Sequence, residues 1–343
     1  MSLSSQTRPC KIGLALGSGG ARGWAHLGVL TRLRELGVPI HCVAGTSIGS
    51  IVGAFYCSGT LDTMLDLATY LNWKRVAKLF LEVNLPRSGL ISGKNFMRLL
   101  KDVIPARQIS DLSMPYAAVT TDLQTETAVT LDSGNLFDAI RASIAIPGIF
   151  TPMRLHGKNL VDGGLTNPLP VSVCRAMGAD AVIAVDINLR TPAARPARSR
   201  TVAPSASRSV HAVPVPSESM ENFLAQVTAM MPQLQAPIDS AIKRWYTPRR
   251  KEEDTLSIFD VLTRSFRLVE NQLTRHGLIQ HPPDILVQPA VGDIMTLEFH
   301  RSAEAIEAGR AAVDELLPQL SLFKNKQESI NNHAIKTHPT APR

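Results

Sequence analysis

The first half of the chain alternates short apolar runs with segments in which apolar residues recur at helical spacing. Residues 11–16 form an apolar run that stops at Gly17, and residues 22–36 carry an apolar face with three-residue spacing. The same order repeats, with an apolar run at 40–44 and a helical pattern at 48–57. Strand, helix, strand and helix in this rhythm predict a parallel sheet with helices packed on its faces.

Further strands are predicted from the same kind of pattern at residues 116–120, 128–131, 159–161 and 181–187. The last of them, AVIAVDI, is mostly β-branched and apolar, as expected of a central parallel strand. After Leu189 the composition changes to Pro, Ser, Ala and Arg without an apolar period. We therefore predict an α/β domain at 11–189, followed by a flexible basic linker or surface loop at 190–220.

A C-terminal helical region is predicted at residues 221–320. Its helical patterns cover 221–231, 256–273 and 301–317, and one strand returns at 284–288. We expect this region to complete the edge of the sheet or to cover the mouth of an active site. The tail at 321–343 is predicted to be disordered.

The composition is that of a globular protein and does not favour nucleic-acid binding. The net charge is +7, but the basic residues are scattered, and no run interleaves them with aromatic residues. Only 5% of the residues are aromatic, which leaves little surface for base stacking. We therefore expect no nucleic-acid partner.

The cysteines and the hydropathy of the chain argue against a metal site and a membrane span. The four cysteines show no CxxC spacing, so neither a zinc site nor a redox motif is predicted. No stretch reaches the ~18 uninterrupted apolar residues of a span. The N-terminal residues also lack the apolar core of a signal peptide. These observations predict a cytoplasmic protein without a metal.

A serine stands in GTSIG, residues 45–49, between a predicted strand and a predicted helix. Gly45 and Gly49 leave room for the tight strand-to-helix turn called a nucleophile elbow, which lifts Ser47 toward a substrate. The positive end of the following helix points at developing negative charge. The motif therefore predicts Ser47 as a nucleophile, and the alternative is a glycine-containing turn without chemistry.

A second glycine-rich segment, GSGGARG at residues 17–23, also follows a strand and opens a helix. Its spacing fails the dinucleotide fingerprint, because Arg22 stands where that motif needs glycine, and the Gly-Lys-Ser/Thr of a Walker loop is missing. Clustered backbone N–H groups at a helix start can instead stabilise an oxyanion. We interpret the segment as an oxyanion hole whose loop Arg22 braces, and His26 as a packed structural histidine.

The third candidate is the motif Asp162-Gly163-Gly164 at the end of a predicted strand. Asp-Gly is common in turns, but Asp162 is also a candidate base for Ser47. A Ser–Asp–His triad would need a later histidine. The later histidines outside the linker and the tail have no supporting motif: His276, His281 and His300. We therefore prefer a two-residue arrangement in which the carboxylate takes the serine proton directly.

In the order SGGARG, GTSIG and DGG, these motifs resemble the patatin-like phospholipase family. The resemblance is closest to bacterial members of the neuropathy-target-esterase (NTE) group, of the RssA type. It covers residues 11–189 and extends to IGLALGSGGARGWAHLGVL, RASIAIPGIFTP and LVDGGLTNPLP. It implies a three-layer α/β/α patatin-like fold with a mainly parallel central sheet, and a patatin-like catalytic domain at 11–189.

For the site, the resemblance implies a catalytic dyad in which Ser47 is the nucleophile and Asp162 the proton acceptor. The segment that matches the family's oxyanion hole holds Gly19, Gly20, Arg22 and Gly23. Ser18 departs from the pattern, because many patatins have a third glycine there. Since serine keeps the backbone N–H group, we expect this departure to do little harm.

The activity implied by the resemblance is hydrolysis of lipid acyl esters, of the lipase or lysophospholipase type, without a metal or organic cofactor. Two alternatives stay open: a catalytically weak regulatory or scaffold protein with the patatin fold, and a nucleotide-binding enzyme using the loop at Gly17. The expected partner is a lipid or another acyl ester. The basic linker also predicts peripheral contact with an anionic membrane, at the inner membrane surface. The oligomeric state stays open.

Overall fold

The structure, a computed structural model, describes residues 10–70, 91–188 and 258–321. The strands in these residues are β1 (Ile12–Leu16), β2 (Cys42–Thr46), β3 (Tyr116–Asp122), β4 (Thr127–Leu131), β5 (Met153–Leu155), β6 (Lys158–Asp162), β7 (Ala181–Val185) and β8 (Ile285–Val287). The α-helices are α1 (Trp24–Glu35), α2 (Ile48–Cys57), α3 (Leu61–Tyr70), α4 (Lys94–Val103), α5 (Leu136–Ser143), α6 (Val171–Ala176), α7 (Ile258–Gln280) and α8 (Ser302–Asp314).

These strands form one mixed sheet. Hydrogen-bonded neighbours follow the order β5-β6-β3-β2-β1-β7-β8, and β4 also pairs with β3. The pairings of β1 with β2, β1 with β7, β2 with β3 and β7 with β8 are parallel. The four strands β1, β2, β3 and β7 are buried along their full length, as expected where both faces of a sheet are covered.

Helices cover both faces of the sheet, and alternate strand residues enter two different hydrophobic clusters. Leu14 and Leu16 of β1 belong to a large cluster that also includes residues of α1, α2, α5 and α8. Ala15, between them, belongs to a smaller cluster with residues of α6. Because successive side chains of a strand point to opposite faces, the two clusters lie on opposite sides of the sheet. The predicted three-layer α/β/α fold is confirmed.

The pairing of β3 brings the ends of β2 and β6 together. β2 pairs with the first part of β3, where Thr46 lies opposite Val119, and β6 pairs with the last part, where Asp162 lies opposite Thr120. β4 pairs with residues 118–122 of β3 and so overlaps both of these stretches. β2 and β6 therefore share the other edge of β3, and their C-terminal ends meet at consecutive β3 residues.

The described C-terminal residues belong to the same compact unit as residues 10–188. β8 extends the sheet beside β7. The helix α8 packs against α1, and two ion pairs join them: Arg32 Nε to Asp314 Oδ1 at 2.6 Å and Arg310 Nη2 to Glu35 Oε2 at 2.8 Å. In the described residues, no helix has both the length and the apolar character needed to cross a membrane.

Several predicted boundaries are corrected. The strand expected at 40–44 is Cys42–Thr46, and the helix expected at 22–36 begins with a 3-10 turn, Gly20–Gly23, before α1. The helix expected at 256–273 is described from Ile258 and continues to Gln280, so it is about two turns longer than the apolar pattern indicated. The linker, the helix at 221–231 and all but the first residue of the predicted tail lie outside the described residues.

Candidate active site

Ser47 occupies a tight turn between β2 and α2. Its φ of +55° is rare for a residue with a side chain, and such strain is typical of functional positions. The turn requires glycine on both sides, because a Cβ atom on Gly45 would lie 2.3 Å from the carbonyl oxygen of Gly49. The backbone N–H of Ser47 donates to Ser143 Oγ at 2.9 Å, and Ser143 Oγ donates to the Val119 carbonyl at 2.6 Å. The turn therefore has the strand-to-helix geometry that a nucleophile elbow requires.

The hydroxyl of Ser47 donates a hydrogen bond to Asp162 Oδ2, at 2.5 Å. Asp162 is completely buried and Ser47 is only 4% exposed. The second carboxylate oxygen, Oδ1, accepts a hydrogen bond from the backbone N–H of Gly164 at 2.8 Å, which fixes the orientation of the carboxylate. The two residues predicted from GTSIG and DGG are thus in direct contact.

The environment of Asp162 makes its carboxyl a stronger base than an ordinary aspartate. Burial raises the pKa of Asp162 to about 8, and the negative charge of Glu270 acts in the same direction. The hydrogen bonds from Ser47 and Gly164 act in the opposite direction. A carboxylate with such a pKa holds a proton far more readily than an exposed aspartate, which suits a general base working near neutral pH.

The glycine-rich loop after β1 reaches the same place. Gly19 and Gly20 line the space beside Ser47 and have φ values of +156° and +59°. The N–H of Ala21 donates to the Thr296 carbonyl at 2.9 Å. The backbone N–H groups of Gly19 and Gly20, by contrast, donate no hydrogen bond within the part of the chain that the structure describes. These two groups can therefore donate to a bound oxyanion.

Arg22 and Gly23, the other two residues of the predicted oxyanion segment, pack inside the protein and support the loop. The Arg22 side chain is 1% exposed, and it donates to the Ile294 carbonyl at 3.0 Å and to Asn188 Oδ1 at 2.8 Å. Gly23 packs against Ile48, since a Cβ atom there would lie 2.1 Å from that side chain. Neither residue lines the two pockets described at Ser47.

The burial of four histidines agrees with a two-residue arrangement. His26 is completely buried, and its Nε2 lies 2.8 Å from the Gly17 carbonyl. Burial lowers the pKa of His26 to about 4, so the ring is neutral and Nε2 donates this bond. His276, His281 and His300 are exposed, whereas the Ser47–Asp162 contact is buried.

An apolar cleft of about 900 Å³, counting the part open to solvent, leads away from Ser47. One wall is the face of α2 formed by Ile48, Ile51 and Phe55, which lie at helical spacing. The other walls are supplied mainly by α3, α4 and the segments around residues 144–150 and 296–299. Nearly all of the lining side chains are aliphatic or aromatic, so the cleft suits a hydrocarbon chain.

Comparison with known proteins identifies the family of the chain. Residues 14–175 match the family described as patatin-like phospholipase. An uncharacterized NTE family protein of Mycobacterium tuberculosis is 33% identical over 337 residues, which is 90% of this chain and 91% of the relative. The chain belongs to the patatin-like phospholipases. Within them it is an NTE family member, and this membership supports a lipid hydrolase function.

Two further matches share only part of their length with this NTE family chain. Patatin-like phospholipase domain-containing protein 6 of Homo sapiens is 39% identical over 183 residues, 51% of this chain and 13% of the human protein. Among solved structures, VipD from Legionella pneumophila superposes with a TM-score of 0.46 and 15% identity, over 91% of this chain and 67% of VipD.

Two polar residues of this patatin-like site were not found from the sequence. Ser143 ends α5 without a motif, and its role as acceptor for the Ser47 N–H depends on how α5 packs on the sheet. Glu270 lies on α7, is 3% exposed, and lines a smaller pocket together with Ser47, Gly19 and Gly20. A single glutamate in an amphipathic helix usually faces solvent, so the pattern gave no sign of its burial.

Proposed function

We propose that the chain is a serine acyl hydrolase that cleaves ester bonds of lipids, with Ser47 as the nucleophile and Asp162 as the base. The observation that carries this proposal is the 2.5 Å contact between Ser47 Oγ and Asp162 Oδ2 at one end of an apolar cleft. Family membership supports the substrate class, and the contact supports the mechanism.

In the first step, Ser47 Oγ attacks the carbonyl carbon of the ester while its proton passes to Asp162 Oδ2. The attack requires an oriented hydroxyl next to a base and open to the substrate, and Ser47 lines the apolar cleft. The Asp162 carboxyl, held by Gly164, then returns the proton to the departing alcohol oxygen. The products of this step are a free alcohol and an acyl group bonded to Ser47.

The backbone N–H groups of Gly19 and Gly20 are proposed to stabilise the negative oxygen that forms during the attack. Both glycines line the space beside Ser47. In other serine hydrolases each such donor contributes about 2.7–4 kcal/mol to the transition state. The contribution depends on a loop geometry that the buried Arg22 and the Ala21–Thr296 hydrogen bond hold in place.

The acyl chain is proposed to lie in the apolar cleft along α2, with the alcohol portion of the ester directed away from it. Each buried methylene contributes about 0.8 kcal/mol to transfer from water. In the second step a water molecule gives its proton to Asp162 and attacks the acyl carbon. The bond between the acyl carbon and Ser47 Oγ then breaks, Asp162 returns the proton to Ser47 Oγ, and the fatty acid is released.

Ester hydrolysis by the wild type and by Ser47→Ala tests this function. The panel contains p-nitrophenyl esters of graded chain length and lysophospholipids. We expect hydrolysis by the wild type and none by Ser47→Ala, with the variant keeping the wild-type far-UV spectrum. A wild type without activity on every ester would favour a regulatory or scaffold role for the fold.

Peripheral contact with an anionic membrane is proposed for the basic linker at 190–220, which lies outside the described residues. Its acidic content is low, with Glu218 the one acidic residue, and several arginines precede it. Each basic residue near an anionic surface contributes about 1 kcal/mol, and salt screens the attraction. Co-sedimentation with anionic vesicles should fall at high salt and on deletion of residues 191–217. Equal binding to neutral vesicles would contradict the proposal.

A further inference from the structure

Glu270 is a buried acid at the active site that the mechanism above does not use. It lies on α7, more than 100 residues after Asp162 in the chain, and its side chain is 3% exposed. Together with Ser47 and Gly20 it lines the smaller pocket, which has a volume of about 370 Å³, counting the part open to solvent. Buried acids are rare unless they are paired or functional, so the burial of Glu270 beside Ser47 points to a role in the site.

The side chain of Glu270 approaches Asp162 across Gly164. A Cβ atom built on Gly164 would lie 2.5 Å from Glu270 Oε1 and 3.1 Å from Asp162 Oδ1. The two carboxylates therefore flank the same glycine, whose missing side chain leaves the space that they share. Two negative charges this close disfavour each other, so ionisation of one increases the proton affinity of the other.

The neighbours of Glu270 determine which carboxyl carries the charge. Burial raises the pKa of Glu270 to about 7, while the hydrogen bond from Ser18 and the positive charges of Arg22 and Arg267 act in the opposite direction. Asp186, beyond β7, adds a smaller upward effect. Asp162 has no arginine or lysine among the groups that act on its pKa. The negative charge of the pair is therefore better accommodated on Glu270.

We propose that Glu270 is a positioning residue for the Ser47–Asp162 pair: its carboxylate, beside Ser18, Arg22 and Arg267, carries the negative charge of the two acids and so makes Asp162 a stronger base. This inference rests on the proposed function. When Ser47 Oγ forms its bond to the acyl carbon, the proton moves to Asp162 Oδ2 and that carboxyl becomes neutral. Glu270 keeps its charge and gains no proton. The transfer removes the repulsion between the two carboxylates, and this relief favours the attack.

The test is the pH dependence of kcat/KM for an uncharged ester, measured for the wild type and for Glu270→Gln. The wild-type rate should rise with pH as Asp162 ionises. In Glu270→Gln the midpoint of this rise should move roughly one pH unit lower, the size of a close charge effect. The plateau kcat should fall roughly 10-fold, less than expected for loss of the base itself, with KM unchanged.

The matched control is Glu315→Gln, which removes the same charge from an exposed position after α8 and should leave the profile unchanged. Glu270→Leu has no polar atom and carries the same test if Glu270→Gln is unstable. A loss of rate at every pH with the midpoint unmoved would assign Glu270 a purely structural role and overturn the proposal. A wild-type profile in Glu270→Gln and in Glu270→Leu would also overturn it.

A second readout separates this inference from the proposed function. Infrared titration of the Asp162 carboxyl, identified by its absence in Asp162→Asn, needs no substrate. Its midpoint should be lower in Glu270→Gln than in the wild type, whether or not the protein hydrolyses the esters tested. An unshifted carboxyl titration would refute the coupling, while inactivity of the wild type alone would refute only the proposed function.

Discussion

Ser47 and Asp162 meet because the strands that carry them end at consecutive residues of β3. Thr46, just before Ser47, pairs with Val119, and Asp162 pairs with Thr120. β2 runs parallel to β3 and β6 runs antiparallel to it, and the C-terminal end of each of these two strands lies at this point. The sheet register therefore sets the contact between residues 115 positions apart.

The first prediction concerns the identity of the base. Asp162→Asn keeps the size of the side chain but cannot accept the serine proton, so we expect kcat to fall roughly 10²–10⁴-fold. Single changes of the exposed residues His276, His281 and His300 to alanine should leave kcat within about twofold, since none of the three lines either pocket at Ser47. Steady-state kinetics on one p-nitrophenyl ester compare the four variants. A histidine variant with a loss equal to that of Asp162→Asn would replace the pair with a triad.

A second prediction concerns the oxyanion loop. Gly20 has a φ of +59°, and a Cβ atom there would lie 2.5 Å from the Thr296 carbonyl oxygen, so Gly20→Ala must move this backbone. We expect kcat to fall roughly 10²–10³-fold, as when an oxyanion donor is removed, with KM little changed. Gly59→Ala, also at positive φ but with open space around it, is the control for strain alone. A rise in KM without a fall in kcat would instead assign the loop to substrate binding.

A third prediction concerns the apolar cleft. For straight-chain esters, kcat/KM should increase by at most about fourfold per methylene, the equivalent of about 0.8 kcal/mol, until the cleft is filled. Ile51→Trp fills the cleft and should reduce activity on long chains far more than on butyrate. Tyr56→Trp adds bulk on the same helix away from the cleft lining and should not change the chain-length profile. Equal losses on all chain lengths would show that the acyl group lies elsewhere.

The fourth prediction links Asp162 to stability. Its folded pKa of about 8 is above the ordinary value of 3.8, so between these values the folded chain holds a proton that the unfolded chain releases. The free energy of unfolding should therefore fall as pH rises from about 4 to about 8, since the folded state then binds more protons. Asp162→Asn removes this contribution and should have a higher Tm than the wild type at pH 8. Thermal melts of both proteins at pH 5 and pH 8 check this, and a lower Tm of the variant at pH 8 would refute it.

The sequence predicted the parts of the fold and site that leave a local signal. Apolar runs such as the one at 181–187 predicted the central strands, because a strand covered on both faces must be apolar throughout. GTSIG and DGG predicted Ser47 and Asp162, since a tight turn and a close backbone approach both need glycine at fixed positions. Their pairing was predicted because the later histidines have no supporting motif, and the resemblance implied the same pair.

Features that depend on packing left no such signal. The helices α3 to α6 are short and partly polar, and the apolar periodicity did not predict them. Ser143 and Glu270 each occupy ordinary positions in a helix. Only the tertiary arrangement brings Ser143 to accept the hydrogen bond from the Ser47 N–H, and Glu270 to lie beside Gly164. The oxyanion segment was predicted as four residues, but Gly19 and Gly20 alone among them line the pocket at Ser47, because the 3-10 turn directs Arg22 into the core.

Covalent labelling with a fluorophosphonate, mapped by mass spectrometry, tests the central assignment most directly, because the probe forms a bond only with an activated serine. We predict one adduct, on Ser47, a much slower reaction in Asp162→Asn, and no labelling of a correctly folded Ser47→Ala. Labelling of another serine, or ester hydrolysis by Ser47→Ala within tenfold of the wild type, would contradict it.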